Sequence, residues 1–167
     1  MPGTDHGFPE VAGTFFRIVF THDGHRVLAG AAAPNGRYHH DHQPALYASS
    51  KPEWAWKAVE SYIRPDDPAR VVHALDVAAA HVVDIRDEAL CSSLGILRSD
   101  SDMPWQPQMA AGERPHTWNV SDRVRQSGAD GLIYTARTDP ARWHLVLFRW
   151  NDLGGPTVHL RARAGSR

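Results

Sequence analysis

Residues 35–60 read NGRYHHDHQPALYASSKPEWAWKAVE, and the fold turns on how this stretch passes from a polar turn to a strand and then to a helix. Asn35, Gly36 and Pro44 are turn formers. Ala45, Leu46 and Tyr47 make a short apolar run with strand character. Pro52 suits the first turn of a helix capped by Ser49 or Ser50. Trp54, Ala55, Ala58, Val59 and Tyr62 then recur at helical spacing until Pro65 and Pro68 stop the pattern. Arg37, Tyr38, His39 and His40 stand side by side just before the strand. A strand that delivers polar groups to a helix N-terminus is a common way to build an anion-binding pocket.

Working outward, residues 13–20 (GTFFRIVF) predict a first strand, interrupted by Arg17, which either snorkels to solvent or is aimed into a pocket. Residues 22–35 read as loop, broken by Gly24, Gly30 and Pro34. Downstream, residues 70–77 and 81–85 predict two central strands, and residues 86–94 a short helix closed by Gly95. Residues 98–115 are polar and rich in proline, which predicts a lid or an Ω-like loop packed around Trp105. A helix over 118–127 stops at Gly128, and strands follow over 131–135, 143–150 and 156–160. Strands mixed with short helices, without regular βα alternation, predict an α+β fold with a curved mixed or antiparallel sheet.

The 167 residues suit one compact domain over 13–160, with residues 1–12 and 161–167 as flexible tails. A net charge of −1 gives no global attraction to nucleic acid or to an anionic membrane, so a ligand has to be held by local chemistry. Cys91 is the single cysteine, and no apolar run resembles a signal peptide or a spanning helix, which together predict a cytoplasmic setting. His39, His40 and His42 lack metal-site spacing and a Cys partner, so no metal is expected. They read instead as solvated loop or as substrate contacts beside Arg37.

The runs GRYHH, PALYASS and EWAW, with FRI before them and WNVSDRVRQSGADGLIYTAR and LVLFRW after them, resemble the RES domain of bacterial RES/Xre-type toxin–antitoxin pairs over residues 15–160. The resemblance implies an ADP-ribosyltransferase-like fold, NAD as substrate and a cognate antitoxin as partner. It further implies cleavage of the nicotinamide–ribose bond, with ADP-ribose passed to a host protein, to water or to phosphate. The motif Arg falls on Arg37 and the motif Tyr on Tyr47, at the family's spacing of ten positions. The family's Glu falls near Ala58, flanked in this chain by Glu53 and Glu60, and the late Ser falls at Thr135 or Ala136. These departures keep a second class open, a non-catalytic binding module on the same fold.

Splitting NAD releases a neutral ring from a cationic one, so the leaving group needs no proton. The site has to hold a pyrophosphate, stack the nicotinamide and steady a ribosyl cation. Arg37 and Arg17 suit the pyrophosphate, because a guanidinium offers a planar fork of donors. Tyr38, Tyr47 and Trp118 are the stacking candidates, with His39 as a further substrate contact. Glu53, Glu60, Asp122 and Asn119 are the candidates for steadying the cation, with Glu53 favoured by its place in the first helical turn, and Thr135 stands in for the late Ser.

Overall fold

The computed structural model describes residues 7–162; of the tails expected over 1–12 and 161–167, residues 1–6 and 163–167 lie outside the described residues. Six strands and five α-helices follow in the order β1 (Glu10–Phe20), β2 (Leu46–Ser49), α1 (Pro52–Val59), β3 (Arg70–Asp84), α2 (Glu88–Ser93), α3 (Arg98–Ser101), α4 (Trp105–Ala110), α5 (Thr117–Ser127), β4 (Gly131–Ala136), β5 (Asp139–Leu147) and β6 (Thr157–Leu160). Two 3-10 turns, Thr21–Arg26 and Glu60–Tyr62, follow β1 and α1. The result is a single α+β domain, as the element order predicts.

The strand order is β1-β2-β5-β4-β3-β6, and β1 also pairs with β3. The pairings therefore run from β1 through β2, β5, β4 and β3 back to β1. The sheet curls on itself, and β6 extends it along β3. All pairs are antiparallel except β3–β4. That one parallel pair needs a long crossover, and α2 through α5 supply it.

Strand alternation separates two cores. Leu132, Tyr134 and Val146 pack with Val120 and Val124 of α5, whereas Ile133, Leu145 and Leu147 pack with Leu75, Val82 and Phe15. Neighbours in sequence thus line opposite faces, so residues 131–134 of β4 and 145–147 of β5 read as continuous apolar runs.

Four expectations are corrected. The two strands predicted over 70–77 and 81–85 are one strand, β3, and the alanines between them form an irregularity where Ala79 takes φ +58° opposite the register shift between Val11 and Gly13. The predicted lid over 98–115 contains α3 and α4, and Gln108 is buried there, accepting a hydrogen bond from the His116 N–H at 3.0 Å. Pro107 is tolerated in α4 because its position in the first turn requires no amide donor. Finally, neither Ser49 nor Ser50 caps α1. Lys51 holds the N-cap position without a side-chain hydrogen bond, because Ser49 still belongs to β2. β1 also begins at Glu10, inside the stretch expected to be a tail.

Candidate functional site

A cleft of about 710 Å³ opens over the sheet face that carries Tyr47, Ser49, His144 and Tyr134. Ala55, Ala58 and Val59 of α1 and the turn Glu60–Tyr62 form one wall; residues 103–107 form another, and the Asn35, Gly36 and Arg37 turn completes the lining.

The Arg37 turn is built by α5. Trp118 Nε1 donates to the Gly36 carbonyl at 2.8 Å, the Thr117 hydroxyl to the Arg37 carbonyl, and Arg125 to the carbonyls of Tyr38 (3.0 Å) and Pro44 (3.3 Å). His40 adds a contact of 2.9 Å to Asp122 on the same helix. One helix face therefore anchors three successive carbonyls, those of Gly36, Arg37 and Tyr38, together with the His40 ring and the Pro44 carbonyl, in a segment with little apolar content of its own. Asp41 and His42 close the turn in the left-handed region, with φ of +52° and +61°.

The anchored turn aims the Arg37 guanidinium at the cleft. Nη2 donates to the Ser101 carbonyl at 2.7 Å and Nη1 to the Thr135 carbonyl at 3.2 Å, while the group lies 5.1 Å from the ring centres of both Tyr38 and Tyr134. Among the described residues no carboxylate pairs with it. Its charge is oriented by dipoles and rings and left available to an anion.

Tyr47 lines the cleft, but its hydroxyl is committed. It accepts from the Tyr38 N–H at 3.0 Å and lies 2.8 Å from His39 Nδ1. His39 Nε2 sits 2.9 Å from the Ala33 carbonyl, which can only accept, so Nε2 carries the ring hydrogen and Tyr47 donates to Nδ1. Burial first, and nearby cationic groups second to it, hold the His39 pKa below its ordinary value; burial pushes the Tyr47 phenol up. Both groups are neutral. Gly36 is required beside them, because a Cβ there would lie 2.3 Å from the His39 ring and 3.1 Å from the Tyr47 oxygen.

The remaining sequence candidates divide by location. Arg17 lines the cleft, donating to the carbonyls of Gly30 (2.9 Å) and Tyr47 (3.4 Å); burial lowers its pKa to about 10, leaving it charged at neutral pH. Thr135 contributes its carbonyl to Arg37, while its neighbours Tyr134 and Ala136 line the cleft. Tyr38 and His39 are fully buried behind the Arg37 turn. Trp118 lies behind it too, its ring centre 4.7 Å from that of His40 and tilted by 30°, and Asn119 lines a separate depression with Asp100 and Asp122. Glu53 is exposed and does not line the cleft, whereas Glu60 does. The α-helix ends at Val59, and the tighter turn that follows redirects Glu60 from the outward direction that a continued helix would give it.

The sequence does not single out Arg142, Tyr134 or His144 as site residues, nor Ser49 as more than a cap. The available signal was alternation: a His and an Arg two apart in an otherwise apolar strand share one face. Ser49 Oγ lies 2.7 Å from His144 Nδ1, and both residues are buried. Burial, and then Arg37 and Arg142 nearby, lower the His144 pKa to about 4.

Among curated proteins there is no significant sequence match. Among solved structures, the crystal structure of the M. tuberculosis MbcT–MbcA toxin–antitoxin complex contains a chain of similar fold, with a TM-score of 0.61 and 17% identity over 93% of this chain and 84% of that one. A sequence model of the RES domain matches residues 14–161, from within β1 to just past β6. The match includes every residue that lines the cleft, and the chain belongs to the RES domain family.

Proposed function

We propose that this protein is an NAD-consuming toxin that cleaves the nicotinamide–ribose bond and transfers ADP-ribose to a host protein, and that a cognate antitoxin covers its cleft. The observation that carries the reading is the charge of the cleft. Arg17, Arg37, Lys57, Arg137 and Arg142 line it against a single carboxylate, Glu60, in a chain whose net charge is −1. Cations gathered at one concave site of dinucleotide size suit a pyrophosphate. Arg37 would grip it with the donors that its two carbonyl partners leave over, and Arg17 would add a second guanidinium. The nicotinamide leaves as a neutral ring, and the ribosyl cation left behind is captured by the acceptor.

Glu60 also bears on the acceptor. Its carboxylate is 3.1 Å from Lys57 Nζ and largely exposed, which suits it poorly to activating a water. A nucleophile that arrives already ionised, such as a carboxylate on a protein, needs no base and is attracted by the cationic cleft. The antitoxin is supported by the likeness to the toxin–antitoxin complex and by family membership.

The test is to incubate the purified chain with NAD labelled in its adenylate half, with and without bacterial lysate. A labelled protein band supports transfer. Free ADP-ribose in buffer alone points to hydrolysis, and its phosphorylated form, made only when phosphate is added, to phosphorolysis. Intact NAD under all three conditions overturns the enzymatic reading.

A further inference from the structure

Ser49, His144 and Tyr134 are register partners on three adjacent strands, β2, β5 and β4, and form one row across the sheet beneath the cleft. The rings of His144 and Tyr134 are 5.3 Å apart and tilted by 33°. Ser49 is 3% exposed and His144 4%. The only hydrogen bond of either side chain among the described residues is the one between them, Oγ to Nδ1 at 2.7 Å. The buried hydroxyl hydrogen has a partner only if it is donated to Nδ1, and a neutral imidazole that accepts at Nδ1 carries its hydrogen on Nε2. Nε2 has no protein partner among the described residues, and His144 lines the cleft.

We propose that His144 is a specificity-determining residue whose Nε2–H donates to an uncharged oxygen of the nicotinamide–ribose half of the substrate, and that Ser49 is the positioning residue that fixes its tautomer. The inference rests on NAD being the substrate. Neutrality is the reason for assigning an uncharged oxygen: five cationic side chains already line the cleft and are available to the phosphates, and burial beside Arg37 and Arg142 keeps the imidazole from adding a sixth charge. A directed donor of fixed geometry discriminates well between substrates, because a ligand lacking the matching acceptor leaves it unpaired in a dry site.

Two amides separate the roles of the two ring nitrogens. In His144→Gln the amide reaches about as far as Nε2; in His144→Asn it reaches only the position of Nδ1, where it can still pair with Ser49. Initial rates of NAD consumption are measured for both, together with inhibition constants for ADP-ribose and for ADP, which lacks the second ribose. The expected result is that His144→Asn lowers kcat/KM for NAD by about tenfold or more and leaves ADP inhibition unchanged, while His144→Gln stays within a few-fold of the parent. Weakened ADP-ribose inhibition in His144→Asn identifies the oxygen as a ribose hydroxyl, and unchanged ADP-ribose inhibition identifies it as the carboxamide oxygen; both support the proposal. Ser49→Ala should lose rate like His144→Asn, and Ser49→Thr, which restores the hydroxyl, should recover it. ADP inhibition weakened as much as NAD turnover assigns His144 to the phosphates and overturns the proposal, as does an unaffected, folded His144→Asn protein. A parent protein that consumes no NAD overturns the substrate reading and this inference with it, which separates the two failures.

Discussion

At the scale of the residue, Arg37 combines two tasks that most arginines perform separately. Its donors hold the carbonyls of Ser101 and Thr135, and so tie α3 to β4, while its charge faces the cleft. Arg37→Ala should therefore lower NAD turnover roughly thirty- to several-thousand-fold, equivalent to about 2–5 kcal/mol. It should also destabilise the fold by about 1–3 kcal/mol through the two abandoned carbonyls. Arg37→Lys should recover little of either, since an ammonium cannot reproduce the fork. Denaturant midpoints and NAD turnover check the two effects separately, and a parent-like rate in the folded Ala variant contradicts the role. The second residue-scale expectation concerns pH. The His144 pKa of about 4 lies below the ordinary 6.5, so the unfolded chain binds the proton more readily than the native one between those values. This stability is fully present above pH 6.5 and is lost as pH falls toward 4, by up to about 3 kcal/mol, with His39 contributing in the same direction. His144→Gln removes one of these titrations. Its stability should fall less steeply than the parent's when unfolding is followed from pH 7 to pH 4.5, and parallel curves contradict the assignment.

At the scale of the element, α1 decides which carboxylate faces the chemistry. A helix continued past Val59 would turn Glu60 away from the Ala55 and Ala58 face; the 3-10 turn Glu60–Tyr62 instead brings it to the cleft. Glu60→Gln should then lower NAD turnover more than Glu53→Gln. The loss should be modest, about 1 kcal/mol or roughly fivefold, because the group is exposed and faces any cation through water. A larger loss for Glu53 contradicts the placement, and no loss in either assigns cation stabilisation to neutral groups such as Tyr47. The helix α5 matters in a different way. Trp118 does not itself line the cleft, yet its indole N–H holds the Gly36 carbonyl and thereby sets the direction of the next residue, Arg37.

At the scale of the whole molecule, the cleft lies between segments far apart in sequence: β1 and the turn near Arg37, α1, α4, and the ends of β4 and β5. No helix among the described residues is long and apolar enough to cross a membrane. Tyr62, Ile63 and Met109, near the rim built by the Glu60–Tyr62 turn and α4, are exposed apolar groups. On the proposed function, expression of the chain alone should arrest growth of a bacterial host, the Arg37→Ala variant should not, and co-expression of the antitoxin should restore growth by blocking NAD access. Normal growth at high soluble expression of the parent chain, or a bound partner that leaves NAD consumption unchanged, contradicts the proposal.

The sequence by itself determined most of the elements, because each is written in local chemistry: Gly128 in the left-handed conformation ends α5, Pro52 opens α1, and β-branched runs make β1 and β3. It also marked Arg37 and Tyr47 through the motif they share. Only the tertiary structure decided what surrounds them. The ring of strand pairings brings Ser49 beside His144 and Tyr134, and no local signal encodes which strands become neighbours. Tyr38 and His39 looked like ligand contacts because polar and aromatic residues in a turn are exposed by default, yet Tyr38 is buried against α5 and the His39 ring is turned inward onto Tyr47 and the Ala33 carbonyl. Glu53 and Glu60 exchanged places for a still smaller reason, the residue at which a helix stops. The α-helix gives way at Val59 to a tighter 3-10 turn, and that change of winding, rather than the spacing of carboxylates along α1, determines which acid reaches the cleft.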